Sequence, residues 1–383
     1  MKPKIFELST VDMTLYKFVL PLMKELRRHG FDVICGARGY GYLDKLREEG
    51  FKAYDIALSR SLNPIALSRS FFQLIRILRE EEINILHVHT PIASFIGRLA
   101  AFFAKVDIKV YTVHGFVLQP RVFYFVEKLM ARTLTDYMFT VNQEDLDLAV
   151  RNKFIAADKA ININSVGIDT EHFDPCRVSE TAKAQLRESL NIRKGAPVIG
   201  YVGRIVKSKG VLDLVRAFVE IRKAVDCQLL LVGPWDLDER PDEIVIQDIR
   251  HIISGYRLEQ EVLLTGHRED IAELLGIMDI FVLPSYREGM PVSLLEAMAM
   301  EKAVIGTDIR GSREAITADS GLIYEAGDIE GLIKHMKFYL DNLEKAAVAG
   351  KNARQRVLKE FSMDRVIEKQ MKVFLELFND GKS

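Results

Sequence analysis

Little in this sequence is suited to an oxidising or apolar setting. Only three cysteines occur among 383 residues, Cys35, Cys176 and Cys227, an odd number without metal-ligand spacing. That count excludes a disulfide framework, and a reducing cytosol is the expected compartment. No run approaches the ~20 apolar residues needed to span a bilayer, and the first twenty residues hold no run of signal-peptide length. An excess of one charge is also missing, the formal net charge being −1. Residues 1–165 carry 23 Lys and Arg against 18 Asp and Glu, and the remainder 30 against 36. This balance is far too weak for a nucleic-acid binder, while a mildly basic first half suits an anionic membrane surface or acceptor. Glycine is absent where a dinucleotide fold needs it. The stretch after the first expected strand reads Ser9-Thr10-Val11-Asp12-Met13-Thr14, without a Gly-x-Gly-x-x-Gly turn. Internal repeats and low-complexity tracts are lacking as well.

What is present is ordinary soluble composition, 48% hydrophobic and 28% charged, over a length that suits two domains. Short apolar runs alternate with segments of helical spacing. In the first half the pattern predicts strands at 4–8, 31–35, 51–56, 83–88, 109–113 and 136–140. Helices are expected between them at 15–29, 42–49, 65–81, 93–104 and 121–134. Strand and helix in this rhythm predict an α/β, doubly wound parallel sheet. The cluster Gly36-Ala37-Arg38-Gly39-Tyr40-Gly41 reads as a flexible loop. The rhythm breaks over 165–197, where the interdomain connection is placed and one helix, 181–190, is expected. A second alternation begins at Val198, with strands at 198–202, 228–232, 262–265, 279–283, 303–307 and 321–324. Its helices are expected at 211–225, 242–256, 271–278, 292–300, 328–340 and 342–360, with a terminal helix at 362–378.

Two loops of the second half carry chemistry. Residues 284–291 leave the carboxyl end of an apolar strand and enter a helix at Pro291, whose missing N–H does no harm there. Ligands of open α/β sheets bind at such corners, and helix starts attract phosphate. Glu288 in this loop and Glu296 on the following helix are acceptor-only carboxylates that suit sugar and ribose hydroxyls. The other loop, Gly203-Arg204-Ile205-Val206-Lys207-Ser208-Lys209-Gly210, is not a P-loop. It offers a glycine for close backbone approach and two cations, Arg204 and Lys209, that suit a diphosphate.

Gly203-Arg204 with Lys209-Gly210, Gly266-His267-Arg268-Glu269-Asp270, and Glu288-Gly289-Met290-Pro291 with Glu296 together resemble the retaining glycosyltransferases of family 4, the group 1 transferases. The similarity runs over nearly the whole chain. It implies the GT-B fold, two Rossmann-like doubly wound parallel-sheet domains facing a central cleft. On that basis an acceptor-binding domain is expected at 1–165 and a nucleotide-sugar-binding domain, with the connection, at 166–361. Residues 362–383 are then a terminal helix crossing back to the first domain. The resemblance implies that Arg204 and Lys209 neutralise the donor diphosphate, with Lys207 able to share the role. Glu296 would hold the ribose, Glu288 the transferred sugar, and Arg268 the base. The N–H groups of Gly289, Met290 and Val292 would point at sugar and phosphate. Met290 stands where many relatives carry Phe or Leu, which bears on sugar choice.

His114, in His114-Gly115-Phe116 after an expected strand, can donate to a sugar hydroxyl or the reacting centre. The family places a sugar-contacting histidine here, so His114 and Glu288 are the candidate catalytic residues. His87 and His89 lie two apart on one strand with no third metal ligand evident, and read as core or cleft lining. Asp145-Leu146-Asp147 and Asp236-Leu237-Asp238 mimic a metal-binding Asp-x-Asp but sit in unsuitable places. No metal or other cofactor is expected. Arg60, Arg69, Arg76 and Arg79 mixed with Phe71 and Phe72, and a similar mix over 121–132, suit peripheral contact with an anionic membrane. The run His89-Thr90-Pro91-Ile92-Ala93-Ser94 looks most like the bacterial members that build capsule, O-antigen or exopolysaccharide on polyprenyl-diphosphate-linked acceptors. The expected function is transfer of an N-acetylhexosamine or hexose from a UDP-sugar to a lipid-linked saccharide, at the cytoplasmic face of the membrane. The alternatives are a UDP-sugar epimerase on the same fold and a non-catalytic nucleotide-sugar-binding subunit.

Overall fold

The computed structural model describes residues 2–58, 64–116, 121–235 and 245–380. The chain forms two compact units, one of Met1–Gly167 with Met363–Ser383 and one of Ile168–Ser362. Each unit is built on one parallel sheet.

The sheet of the first unit contains β1 (Lys4–Val11), β2 (Asp32–Arg38), β3 (Lys52–Asp55), β4 (Ile85–Val88), β5 (Ile108–Val113), β6 (Tyr137–Thr140) and β7 (Ala160–Asn162). Their order is β3-β2-β1-β4-β5-β6-β7. Strands covered on both faces by crossover helices read as continuous apolar runs, and Ile5, Phe6, Leu8, Leu86 and Val88 are all buried. The first helix is interrupted. A short turn Asp12–Thr14 passes into a π-helical turn Leu15–Val19 and then into the helix Leu20–Arg28. Pro21 has no N–H to give to the preceding turn, and the wider turn absorbs that loss. The expected flexible loop at 36–41 is corrected in part: β2 runs through to Arg38, and residues 39–41 alone join it to the helix Tyr42–Glu48. Gly36 is a buried strand position at which a Cβ would sit 2.5 Å from Ile56 Cδ1. The helix Gln143–Arg151 was not foreseen, although Asn142 caps it by accepting the Asp145 N–H at 2.7 Å. The terminal helix Met363–Asp380 packs into this unit, with Phe374 against Phe31 and Phe139 at ring distances of 6.5 and 6.0 Å.

The sheet of the second unit contains β8 (Val198–Val202), β9 (Gln228–Val232), β10 (Val262–Gly266), β11 (Ile280–Leu283), β12 (Ala303–Thr307) and β13 (Gly321–Tyr324). Their order is β10-β9-β8-β11-β12-β13. The strand order reverses between β8 and β11, so the loops after these two strands leave the sheet side by side. Asp236-Leu237-Asp238 and Arg60 lie outside the described residues.

Candidate functional site

The two sequence-predicted loops of the second unit meet at that reversal. Gly210 opens the helix Val211–Arg222 in a left-handed conformation, φ +66°, and a Cβ there would lie 2.0 Å from the Pro284 carbonyl oxygen. Only glycine lets the loop after β8 approach the loop after β11 this closely. The Tyr286 N–H donates to the Ser208 carbonyl at 3.0 Å. The contact is completed by Lys209, whose Nζ donates to Glu288 Oε1 at 2.6 Å. Their side chains are only 21% and 10% exposed. Ser285 is fully buried, and its hydroxyl donates to the same carboxylate oxygen at 2.7 Å. From the end of β12, the Thr307 hydroxyl donates to the Ser285 carbonyl at 2.6 Å, and Arg310 Nε donates to the Glu288 carbonyl at 3.2 Å. Gly311 abuts Gly289 so closely that a Cβ would come within 2.2 Å of the Gly289 oxygen.

Around this pair, the side chain of Arg204 is exposed, while its carbonyl accepts the buried Tyr201 hydroxyl at 2.8 Å. Burial, and then the Glu288 charge, keep that phenol protonated far above its usual range. Gly203 packs over the same hydroxyl, 2.6 Å from where its Cβ would be. Pro291 precedes the helix Val292–Ala299 in an extended conformation, and the first N–H groups of that helix have no partner within it. Met290 is buried, whereas Gly289, Val292 and Glu296 are half-buried. Arg268 stands apart, after β10 at the sheet edge, where Asp270 Oδ1 accepts from its Nε at 2.7 Å. Sequence reasoning did not single out Ser285, Arg310 or Tyr201. Nor did it single out the one tryptophan, Trp235, which lies after β9 against the backbone of Gly266. Only strand order brings these residues to the same end of one sheet.

In the first unit, β1 lies beside β4 with Glu7 opposite His87. Glu7 is the carboxylate neighbour of His87 and His89 that linear spacing could not show. The Glu7 carboxylate accepts His87 Nδ1–H at 3.0 Å and His89 Nε2–H at 2.7 Å, and all three residues are buried. Burial raises the Glu7 pKa, but the two histidines outweigh it and bring it down to about 2. Among the described residues these three are the one group with ligand atoms mutually within 4.8 Å. Each ring N–H already meets the carboxylate, so the set is a closed hydrogen-bonded network rather than an open cation site. His114 follows β5, its ring 5.9 Å from that of His89. Burial, and then the neighbouring imidazoles of His89 and His87, lower its pKa to about 3, so it is neutral. Burial does the same for His89, to about 4. Asp145 and Asp147 are helix residues: Asp145 accepts from Asn142 Nδ2 at 2.8 Å, and Asp147 accepts from Arg151 at 2.9 Å.

The family model described as glycosyl transferases group 1 matches residues 182–356, and that of Glycosyltransferase Family 4 matches 17–172. An N,N'-diacetylbacillosaminyl-diphospho-undecaprenol alpha-1,3-N-acetylgalactosaminyltransferase of Campylobacter jejuni is 29% identical over 96% of this chain and 97% of its own. A UDP-Gal:alpha-D-GlcNAc-diphosphoundecaprenol alpha-1,3-galactosyltransferase of Escherichia coli is 25% identical over 91% and 89%. A solved glycosyltransferase of Rickettsia africae superposes with a TM-score of 0.85 at 22% identity, covering 98% of this chain and 99% of its own, and so shares the GT-B fold. Two glycosyltransferase models, one matched in each unit, together span most of the sequence, and on that ground the chain belongs to the group 1 glycosyltransferases of family 4.

Proposed function

We propose that this glycosyltransferase moves an N-acetylhexosamine or hexose from a UDP-sugar to a polyprenyl-diphosphate-linked saccharide, with retention of configuration. The observation that carries the donor reading is the Lys209–Glu288 pair at the strand-order reversal, with Arg204 beside it on the same loop. A cation and a carboxylate that satisfy each other before binding are released together when the donor arrives. The diphosphate takes Lys209 and Arg204, and sugar hydroxyls take Glu288. Glu296 accepts from the ribose, and His114 forms a hydrogen bond with the transferred sugar. As the bond from the anomeric carbon to the diphosphate breaks, negative charge grows on the leaving oxygen. Arg204, Lys209 and the start of the helix Val292–Ala299 stabilise that charge. The acceptor oxygen attacks from the same face and the departing phosphate takes its proton, so no enzyme nucleophile and no metal is required.

The acceptor reading rests on the diphospho-undecaprenol compounds named for the two relatives. It is supported by one surface of the first unit. The helices Pro64–Glu80, Pro91–Ala104 and Arg121–Leu134 lie side by side, tied by a Phe71–Phe103 ring contact at 5.7 Å and an Arg98–Glu127 ion pair at 2.8 Å. They leave Phe72, Phe102, Phe125 and Leu129 each more than half exposed, with Arg69, Arg76, Arg121 and Arg132 exposed on the same helices. An apolar face with basic side chains fits an anionic lipid surface. No described helix is long and apolar enough to cross a membrane.

Incubation with UDP- and GDP-sugars, each with and without a polyprenyl-diphosphate saccharide, tests the reading. The expected product is an acceptor lengthened by one α-linked sugar, formed only with a UDP-sugar. Conversion of the donor to an epimer without acceptor would overturn it in favour of an epimerase. Arg204→Ala should lower turnover roughly a hundredfold, the ~2–3 kcal/mol of a lost charged hydrogen bond.

A further inference from the structure

The hydrogen-bonded network under β1 and β4 extends beyond the three residues that close it. His89 Nδ1 and His114 Nε2 are both buried without a partner. Both residues line a narrow cavity, shared with Thr112 and Gln370, that offers about 20 Å³ to the centres of water molecules. One water needs ~10–15 Å³ on that measure and two or more polar partners. The chemistry of the chain is fixed from its far end. Glu7 is an ionised acceptor, so His89 must present Nε2–H to it, leaving a lone pair at Nδ1. A water donating to that lone pair has its own oxygen free to accept from His114.

We infer that Glu7, His89 and one water in this cavity form a chain that holds His114 as its Nε2–H tautomer, making Glu7 and His89 positioning residues for it. His114 Nδ1 is then the lone-pair atom and meets the substrate as an acceptor of a sugar hydroxyl, not as a donor. This rests on the reading that His114 contacts the transferred sugar. The chain of buried groups is independent of that reading.

The test uses the full chain labelled with ¹⁵N-histidine, with ring tautomers read by long-range proton–nitrogen NMR, beside transfer kinetics. The wild type should show His89 and His114 each as a single Nε2–H tautomer. His89→Gln keeps an amide that donates to Glu7 but has no acceptor at the place of Nδ1, its carbonyl sitting on the same carbon as the donating nitrogen. It should convert His114 to a mixture of tautomers and lower kcat about tenfold, the worth of one neutral hydrogen bond, with donor KM unchanged within about twofold. Glu7→Gln, a variant of equal shape, should disturb both histidines. His114 found as Nδ1–H in the wild type, or unaltered in His89→Gln, would overturn the inference. So would a transition metal that co-purifies in equal amount and is lost in Glu7→Gln. If the tautomers change as expected while His114→Ala leaves transfer untouched, the chain stands and the sugar contact of His114 falls.

Discussion

Breaking the Lys209–Glu288 pair from either side should reveal a coupling that donor binding then abolishes. The pair is 2.6 Å long with side chains 21% and 10% exposed. A solvent-exposed ion pair is worth ~0.2–1 kcal/mol, whereas a hydrogen bond to a charged group out of bulk water is worth ~1.5–3 kcal/mol. The burial places this pair in the second class, at about 2 kcal/mol. Lys209→Met alone leaves Glu288 with its Ser285 hydroxyl, so that variant should still fold. Urea unfolding of wild type, Lys209→Met, Glu288→Gln and the double variant closes a thermodynamic cycle. The expected coupling is about 2 kcal/mol without ligand and near zero with saturating UDP-sugar, because the diphosphate has replaced Glu288 as the partner of Lys209. Lys209→Met should also weaken UDP-sugar binding about a hundredfold, or ~2.7 kcal/mol. A ligand-free coupling below ~0.5 kcal/mol, within ordinary additivity, would refute the account of a poised pair. An unchanged donor Kd would refute the phosphate role.

Three further outcomes are expected. Gly210→Ala should cost well over the ~1 kcal/mol expected at Gly195, because both have positive φ but only Gly210 faces a carbonyl 2.0 Å from the added Cβ; comparing the urea midpoints of the two variants decides it. His89 and His114 have pKa values lowered to about 4 and about 3. The unfolded chain therefore binds protons first, and the stability they contribute is present above pH ~6.5 and is lost as pH falls, towards about 4 for His89 and about 3 for His114, at ~1.4 kcal/mol per pH unit for each group. Urea titrations across that window check this, and a flat profile would contradict it. Replacing Phe72, Phe102 and Phe125 together by Glu should weaken co-sedimentation with anionic vesicles at least about tenfold while leaving Kd for UDP-sugar unchanged.

The sheets were legible because both faces of their central strands are covered, which makes strands such as Val198–Val202 and Ile280–Leu283 unbroken apolar runs. What escaped was local or non-local chemistry. The helix Gln143–Arg151 hid behind an acidic triplet that resembled a metal motif, although its cap, Asn142, stood in view. The interruption at Leu15–Val19 depends on how Pro21 is accommodated within a helix whose apolar spacing is otherwise regular. Lys209 and Glu288 each stood out as candidates, but their direct bond follows from β8 lying beside β11. Glu7 drew no notice because a single charge in an apolar strand acquires meaning only when β4 brings two histidines beside it. Arg268, marked by resemblance, has its partner Asp270 only two positions along the chain.

The most direct measurement is a crystal structure of the chain with an intact UDP-sugar. The account predicts the diphosphate within hydrogen-bond distance of Arg204 and Lys209, at the carboxyl ends of β8 and β11, with Glu288 turned from Lys209 to the sugar. A nucleotide bound elsewhere, or a Lys209–Glu288 bond that survives donor binding, would contradict it.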